Sequence, residues 1–263
     1  MVPDGSPGIH EPGHPSHRVP MRPSLLPTSP LVPWATIAVL ASLALIAPRV
    51  AASAAEPVAP DRHPELKRLS PTEDVWIDSK GKRVVVGGTI AVDKGPIEYF
   101  ACPRGTKEHE SIVATRSKAQ LVHVGLLAIG LIPGKPVSFE PDYVAATGPV
   151  IRVTMRWQDK AGQVQELPAQ QWIRDTRTGM PMQEDWVFAG SAFWRDPSDG
   201  KEYYQADGGD LVCLSNFPTA MLDLTIESSQ SNDALLFDAF EGRVPPKGTD
   251  VEMILDASDT SSP

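Results

Sequence analysis

The amino-acid sequence predicts an α+β fold in which mixed and antiparallel sheets, built from hairpins, pack with two main helices. Three observations predict this fold. Runs rich in β-branched and aromatic residues alternate with glycine-containing turns. A segment at about 117–130 has apolar residues at helical spacing. A second segment, at about 232–241, lies between Ser231 and Gly242, which are residue types that often flank helices.

The first 54 residues have the organisation of a secretory signal peptide with a long proline-rich start. An uncharged apolar run, 34–47, follows Arg18 and Arg22 and precedes small residues up to Ala54. This run is shorter than the roughly 20 residues that a membrane-spanning helix needs, which favours cleavage near Ala54. The sequence therefore predicts a periplasmic or secreted protein with no stable membrane span after cleavage. Retention in the inner membrane by 34–47 is the alternative.

Composition divides the rest of the chain into three parts. Residues 55–73 are polar and proline-rich like a linker, 74–256 carry the regular patterns, and 257–263 resemble a disordered tail. We expect 74–256 to form one domain, with two lobes split near residue 148 as the alternative. The leader holds three basic and two acidic residues, so 21 basic and 31 acidic residues remain and the net charge is −10. This charge, without any basic stripe, excludes nucleic acid as a partner.

The strand signals follow one another along the domain. Gly87-Gly88 predict a bulge or bend in the second strand, and Asp207-Gly208-Gly209 predict a tight primed hairpin turn. The predicted elements are a hairpin over 74–92, a strand at 97–102, a second hairpin over 150–173, a group of short strands over 186–215 and a closing strand at 251–255.

The helix at 117–130 has the clearest signals. Ser117 and Gln120 have the spacing of a capping box, in which both side chains bind amides of the first turn. Gly130 suits the left-handed conformation that ends many helices. His123 falls within the apolar arc of this helix, where a buried imidazole needs a hydrogen-bond partner.

Four segments add a resemblance to a known family. They are Glu98 to Ser111 (EYFACPRGTKEHES), Val187 to Trp194 (VFAGSAFW), Tyr204 to Asp210 (YQADGGD) and Cys213 to Leu224 (CLSNFPTAMLDL). Together they resemble the YdjY-domain family of exported bacterial proteins, over about residues 74–256. The family is described as ferredoxin-like. Because an iron–sulfur cluster normally takes four cysteines and this chain has two, the resemblance implies a chain topology and no cluster.

A polar segment after the strand at 97–102 is the first candidate for chemistry. Arg104 and Lys107 are placed to lower the pKa of a nearby thiol, and the neighbouring imidazole and carboxylates suit proton transfer or cation binding. A solvated loop is the alternative. The candidate catalytic residues are Cys102, Lys107, Glu108, His109 and Glu110.

The two cysteines allow three interpretations. Cys102 and Cys213 could form a disulfide in an oxidising compartment, or each could be a small buried apolar residue. Cys102, His109 and His123 form a mixed nitrogen and sulfur set compatible with zinc or copper. However, no metal-ligand spacing motif occurs, so we expect neither a metal site nor another cofactor.

Three other residues are candidates for ligand binding. Ser215 and Asn216 follow the strand at Cys213 and could present a hydroxyl and an amide, although such a pair also ends strands. Trp194 belongs to a set of tryptophans that could form an aromatic platform or part of the core. The other members of this set are Trp157, Trp172 and Trp186.

These observations favour a non-enzymatic function. We expect an exported soluble module that binds a protein, an envelope component or a small ligand, whose identity the sequence leaves open. The alternative is a thiol- or metal-dependent redox or catalytic site centred on Cys102 and His109.

Overall fold

The computed structural model describes residues 61–228 and 235–257. The signal peptide predicted over 1–54, the first part of the predicted linker and the predicted tail after residue 257 lie outside these ranges. The strands are β1 (Lys67–Arg68), β2 (Val75–Asp78), β3 (Arg83–Ile90), β4 (Gly95–Pro96), β5 (Tyr99–Pro103), β6 (Ser111–Thr115), β7 (Val150–Gln158), β8 (Val164–Pro168), β9 (Ile173–Asp175), β10 (Trp186–Phe188), β11 (Phe193–Arg195), β12 (Glu202–Tyr204), β13 (Val212–Cys213), β14 (Leu222–Leu224), β15 (Phe237–Ala239) and β16 (Asp250–Ala257). The helices are α1 (Ala119–Ala128) and three short 3₁₀ helices, Glu108–Glu110, Ala169–Trp172 and Gln205–Gly208.

Eight of these strands form a closed barrel. Their order around the barrel is β3, β16, β7, β10, β14, β13, β5 and β6, and β6 pairs back onto β3. The long strand β16 lies between β3 and β7, with seven residue pairs on each side. Alternate residues of these strands point inward and are buried. The inward set includes Val84, Val86, Val153, Met155, Val251, Met253 and Leu255.

The barrel corrects the predicted α+β fold. The described residues are 38% strand and 11% helical, with a single α-helix. Of the helix predicted over 232–241, residues 232–234 lie outside the described ranges, and Phe237–Ala239 is strand β15, paired with β9 and β4. Phe237 and Ala239 are buried and Asp238 is only partly so, which is strand alternation. One helix beside a barrel also differs from the ferredoxin-like topology, which has two.

The other predicted helix exists as α1, but its N-terminus is stabilised differently from the prediction. Ser117 and Gln120 form no capping box. Instead, two carboxylates from distant segments accept the free amides: Glu73 Oε2 from Lys118 N at 2.8 Å and Asp207 Oδ1 from Gln120 N at 2.9 Å. An acidic side chain is favourable there because it lies at the positive end of the helix dipole. The helix is therefore tied to two distant parts of the chain.

Both predicted hairpins are present, as β2–β3 and β7–β8. Within the predicted group of short strands over 186–215, β11 and β12 form a further hairpin. The tight turn predicted at 207–209 is wrong, because Gln205–Gly208 forms a 3₁₀ helix there. Strands from both sides of residue 148 belong to one closed barrel, since β16 pairs with β3 and β13 pairs with β5. The fold therefore shows no division into lobes at that point among the described residues.

The described part of the predicted linker, 61–73, packs against the barrel wall. Lys67–Arg68 pairs with β2, Asp61 accepts a 2.7 Å hydrogen bond from Trp76 Nε1, and His63 Nε2 lies 2.7 Å from Glu252 Oε1. Arg62 also forms an ion pair with Asp250. Regular structure thus begins before residue 74.

The barrel closes where β3 exchanges one neighbour for another. β3 pairs with β2 up to Val86 and with β6 from Gly88 onwards, while its pairing with β16 continues in register, so the bulge predicted at Gly87-Gly88 is absent. A Cβ atom at Gly87 would lie 2.8 Å from Arg116 Nη2, and one at Gly88 would lie 2.9 Å from the Ala114 carbonyl oxygen. Only glycine lets the neighbouring chain come this close.

We expect Gly88→Ala to destabilise the fold by about 1–3 kcal/mol, because the added methyl group meets the backbone of β6 and the strand must shift. Urea unfolding followed by circular dichroism measures the change. Gly208→Ala is the control, because a Cβ atom there has no neighbour within 4 Å. Equal stability of the two variants would contradict this account of closure.

Candidate functional site

The Cys102 thiol lies in the wall of the barrel. Its strand, β5, is fully buried between β13 and β6. Burial raises the pKa of Cys102, with hydrogen bonds from Ser111 and Thr106 acting weakly against it. Arg104 and Lys107 do not bring this pKa below its usual value, because loss of solvation is the largest effect on it. A thiol in this state is a poor nucleophile.

The other residues of the polar segment form a loop that binds mainly to itself. Glu108 Oε1 accepts a hydrogen bond from Gly105 N at 2.9 Å, and Lys107 Nζ lies 3.3 Å from Glu110 Oε1. The His109 side chain is 75% exposed, with Nε2 3.6 Å from Glu110 Oε1. These contacts are those of a solvated loop.

His123 is partly buried on α1 and has its hydrogen-bond partner. Its Nδ1 lies 2.7 Å from the Tyr204 hydroxyl, which donates at 3.0 Å to the Gly190 carbonyl oxygen. Since that hydroxyl has only one proton, Nδ1 of His123 is the donor between the two rings. The His123 ring also packs edge-on against Phe188, and desolvation lowers its pKa. His123 is thus a neutral ring that links α1 to the β11–β12 region.

Cys213 is buried in strand β13, away from the polar loop that carries His109. It lies opposite Tyr99 of β5, not opposite Cys102, and both cysteines are free thiols. Its neighbours are Tyr99 and Ala220, and complete burial raises its pKa well above the usual thiol value. Over residues 61–228 and 235–257, no three His, Cys, Asp or Glu side chains are grouped so that they could hold a metal ion. The residues of the predicted mixed site therefore do not converge.

Ser215 and Asn216 belong to a buried polar network. Asn216 Nδ2 donates to Asp223 Oδ1 at 3.1 Å and to the Leu224 carbonyl oxygen at 3.2 Å, while its Oδ1 accepts from Ser228 N at 2.8 Å. Ser215 is buried, and its backbone N donates to Glu98 O at 3.0 Å. The Asn216 amide is thus occupied in holding β14 and the following loop together.

Sequence reasoning missed Asp223, the most perturbed carboxyl of this network. Asp223 is fully buried, and its Oδ2 has no hydrogen-bond partner among the described residues. Desolvation raises its pKa to about 7, against the hydrogen bonds from Asn216 and from Leu224 N, which favour ionisation. The one sequence signal was a single acid between two leucines, Leu222 and Leu224, in an apolar strand.

Trp194 lies on an exposed apolar surface. It pairs across the β11–β12 hairpin with Tyr203, with ring centroids 6.0 Å apart. On the other face of the hairpin, Phe193 packs against Tyr204 with tilted rings and centroids 5.2 Å apart. Because Tyr204 contacts His123, the hairpin adjoins α1, whose outer side exposes aliphatic residues. We name this set the aromatic surface: Val124, Leu127, Ile132, Phe193, Trp194 and Tyr203, each at least 44% exposed.

Comparison with known proteins agrees with the resemblance found in the sequence. Residues 75–256, more than half of the chain, match the YdjY domain. The chain belongs to the YdjY domain family. No curated protein and no solved structure matches it.

This YdjY domain therefore corresponds closely to the barrel, since the match begins at β2 and ends within β16. The segment 61–74, which packs on the barrel wall, lies before the match. Among the described residues, no helix combines the length and the hydrophobicity needed to cross a membrane.

We expect the buried carboxyl of Asp223 to make the YdjY domain less stable as pH rises. A carboxyl whose folded pKa is raised stabilises the fold while it is protonated. That stabilisation is complete below about pH 4 and is lost as pH approaches 7. The total loss is about 4 kcal/mol. Urea unfolding between pH 4 and 8 should show the native protein losing stability relative to Asp223→Asn.

Asp196→Asn is the matched control, because Asp196 is only partly buried and its lowered pKa comes from hydrogen bonds within its own turn. Identical pH profiles for the native protein and the Asp223→Asn variant would show that Asp223 is ionised in the fold.

We also expect both thiols to resist a thiol reagent such as DTNB in the native protein at pH 8 and to react once the chain is unfolded. Burial and raised pKa values keep them protonated and shielded. A Ser198→Cys variant, with its thiol on an exposed turn, should react at once and serves as the control. Rapid reaction of native Cys102 would restore the thiol-dependent alternative.

Proposed function

We propose that this YdjY-domain protein is an exported binding module and that the aromatic surface docks a protein partner. Export is supported by the apolar run at 34–47 and the small residues up to Ala54. The burial of Cys102 and Cys213 and the exposure of His109 argue against a thiol- or metal-dependent reaction. These features favour a binding function.

The observation that carries the proposal is the size and composition of the aromatic surface. Phe193 is 57%, Trp194 47% and Tyr203 46% exposed, although tryptophan and tyrosine gain most when they are buried. Large apolar side chains exposed on a hairpin and on the helix that adjoins it are typical of interaction sites on soluble proteins. Phenylalanine, tryptophan and tyrosine are also the residues enriched in protein–protein interfaces.

The supports of the aromatic surface keep it in place without a partner. The Tyr204 hydroxyl bonds both His123 and the Gly190 carbonyl oxygen, and the Pro133 ring packs against Gly190, where there is no room for a Cβ atom. Arg195 and Glu202 form a 2.7 Å ion pair beside Trp194 and Tyr203. A rigid apolar centre with a charged rim loses little conformational entropy on binding.

The partner fitted to this surface is a protein with exposed apolar side chains. Trp194 and Tyr203 lie on a separate two-stranded sheet with both side chains exposed, whereas small ligands prefer concave, enclosed sites. A second copy of the chain, a small ligand and an envelope polymer are the competing occupants, and the experiment below distinguishes them.

Photo-crosslinking in the native host tests the proposal. With a photoreactive phenylalanine at position 194 of the full-length chain, we expect one discrete protein adduct in the exported fraction. We expect none from position 164, because Val164 is equally apolar and 62% exposed but lies outside the aromatic surface. Leu127→Ser with Phe193→Ser should abolish the adduct while leaving the circular dichroism spectrum unchanged.

Each competing occupant gives a different result. An adduct of twice the chain mass indicates a second copy. No adduct, or the same adduct from positions 164 and 194, indicates that the aromatic surface docks no protein. Each of these results overturns the proposal.

A further inference from the structure

A second surface of the domain, at one end of the barrel, has the features of a small-ligand site. Trp157 lies near the end of β7, on the side from which Val153 and Met155 point into the core. Its ring packs edge-on against the buried Trp172, with centroids 5.1 Å apart, and is only partly buried itself. We name the cavity beside it the mouth cavity. Its volume is about 480 Å³ and its lining is Trp157, Asp159, Gln165, Leu167, Gln171 and Arg243.

The polar groups of the mouth cavity are fixed by their neighbours. Asp159 accepts hydrogen bonds from the Ala161 and Gln163 amides and, at 2.8 Å, from Gln165 Nε2. These contacts hold the carboxylate and the Gln165 amide against the β7–β8 turn. The side-chain oxygen of Gln165, Oε1, is left without a hydrogen-bond partner in the described part of the chain.

The opposite side of the mouth cavity is fixed in the same way. Arg243 stacks on the Phe240 ring, with Cζ 4.1 Å from the ring centroid, and donates to Gln171 Oε1 at 3.0 Å. No atom of the described residues accepts a hydrogen bond from the Gln171 side-chain nitrogen, Nε2. An indole thus lies between oriented amide, carboxylate and guanidinium groups, and some of their donors and acceptors remain available.

The chemistry of this lining selects one class of ligand. A cavity of a few hundred Å³ with an aromatic wall and a few placed polar groups suits a small organic molecule, and barrel mouths are common places for such sites. Asp159 and Arg243 cancel in formal charge, so the mouth cavity offers no net attraction to an ion. A ligand that fits has one apolar face for the indole and hydroxyl groups around its edge.

We propose that the mouth cavity binds an uncharged saccharide, with one sugar ring stacked on Trp157 and its hydroxyls bonded to Gln165, Gln171, Asp159 and Arg243. Sugar hydroxyls both donate and accept, which matches the free Gln165 oxygen and Gln171 nitrogen. The inference is independent of the aromatic surface, since the two share no residue. It gives the domain a ligand class as well as a partner class.

Isothermal titration calorimetry on the exported protein tests this inference. The neutral probes are maltotriose and tri-N-acetylchitotriose, and trigalacturonate is the anionic control of similar length. We expect at least one neutral trisaccharide to bind and trigalacturonate not to bind. A pull-down with insoluble chitin and starch then distinguishes a polymer from a free oligosaccharide as the source of the sugar.

The variants separate the mouth cavity from other sites. Trp157→Ala and Gln171→Ala should each weaken binding by about tenfold or more. Gln158→Ala, on the opposite side of β7, and Trp194→Ala, on the aromatic surface, should leave it unchanged. If Trp157→Ala fails to fold, Gln171→Ala decides the question, and Trp157→Phe should still bind because Phe keeps a stacking face.

Three results would overturn the inference. They are no binding of either neutral trisaccharide, equal binding by the native protein and by the Trp157→Ala and Gln171→Ala variants, and tighter binding of trigalacturonate. Because these measurements do not involve the crosslinking partner, failure here leaves the docking proposal intact, and failure of docking leaves the saccharide proposal intact.

Discussion

The closure of the barrel at β3 is the constraint on which the other features depend. The first half of β3 pairs with β2 and its last residues pair with β6. Where the pairing changes, neighbouring atoms lie so close to Gly87 and Gly88 that these positions must lack side chains. Arg116 fixes this crossing: it bonds Asp74, the Gly88 carbonyl oxygen and Asp250. One guanidinium thereby ties the start of β2, the middle of β3 and the start of β16. A charged group with several partly buried partners is costly to disturb.

Closure also determines where functional surfaces can lie. Because the barrel interior is filled by side chains such as Phe100, Trp186 and Met253, ligands have access only to its outer wall and its ends. The helix α1 packs on the barrel core, and the bond between His123 and Tyr204 holds it to the β11–β12 hairpin. One end carries the mouth cavity. The two proposed sites therefore lie on elements that the closed barrel holds rigidly, which is the arrangement that precise recognition requires.

The same closure explains why the reactive-looking residues are not grouped. β5 brings Cys102 into a fully buried strand, whereas the loop that follows carries His109 to the surface. The His123 ring is hydrogen-bonded to Tyr204, and Cys213 lies opposite Tyr99 in the sheet. The group whose pKa burial moves to about 7 is Asp223, and its one sequence signal was its position between two leucines of an apolar strand. The raised pKa values of Cys102, Cys213 and Asp223 come from desolvation within the core, not from a cluster of charges in a cleft.

Local sequence signals determined the elements whose stability is local. The hairpins β2–β3 and β7–β8 and the helix α1 follow from residue periodicity and turn chemistry. The family followed from four segments of continuous sequence, and the exposed Trp194 was already a candidate residue. By contrast, the closure of the barrel, the strand at Phe237–Ala239, the carboxylate caps Glu73 and Asp207, and the burial of Asp223 depend on contacts between residues far apart in the chain. Periodicity describes which side of an element is apolar. Only the tertiary structure decides which other element covers that side, and that choice set both the fold class and the positions of the proposed sites.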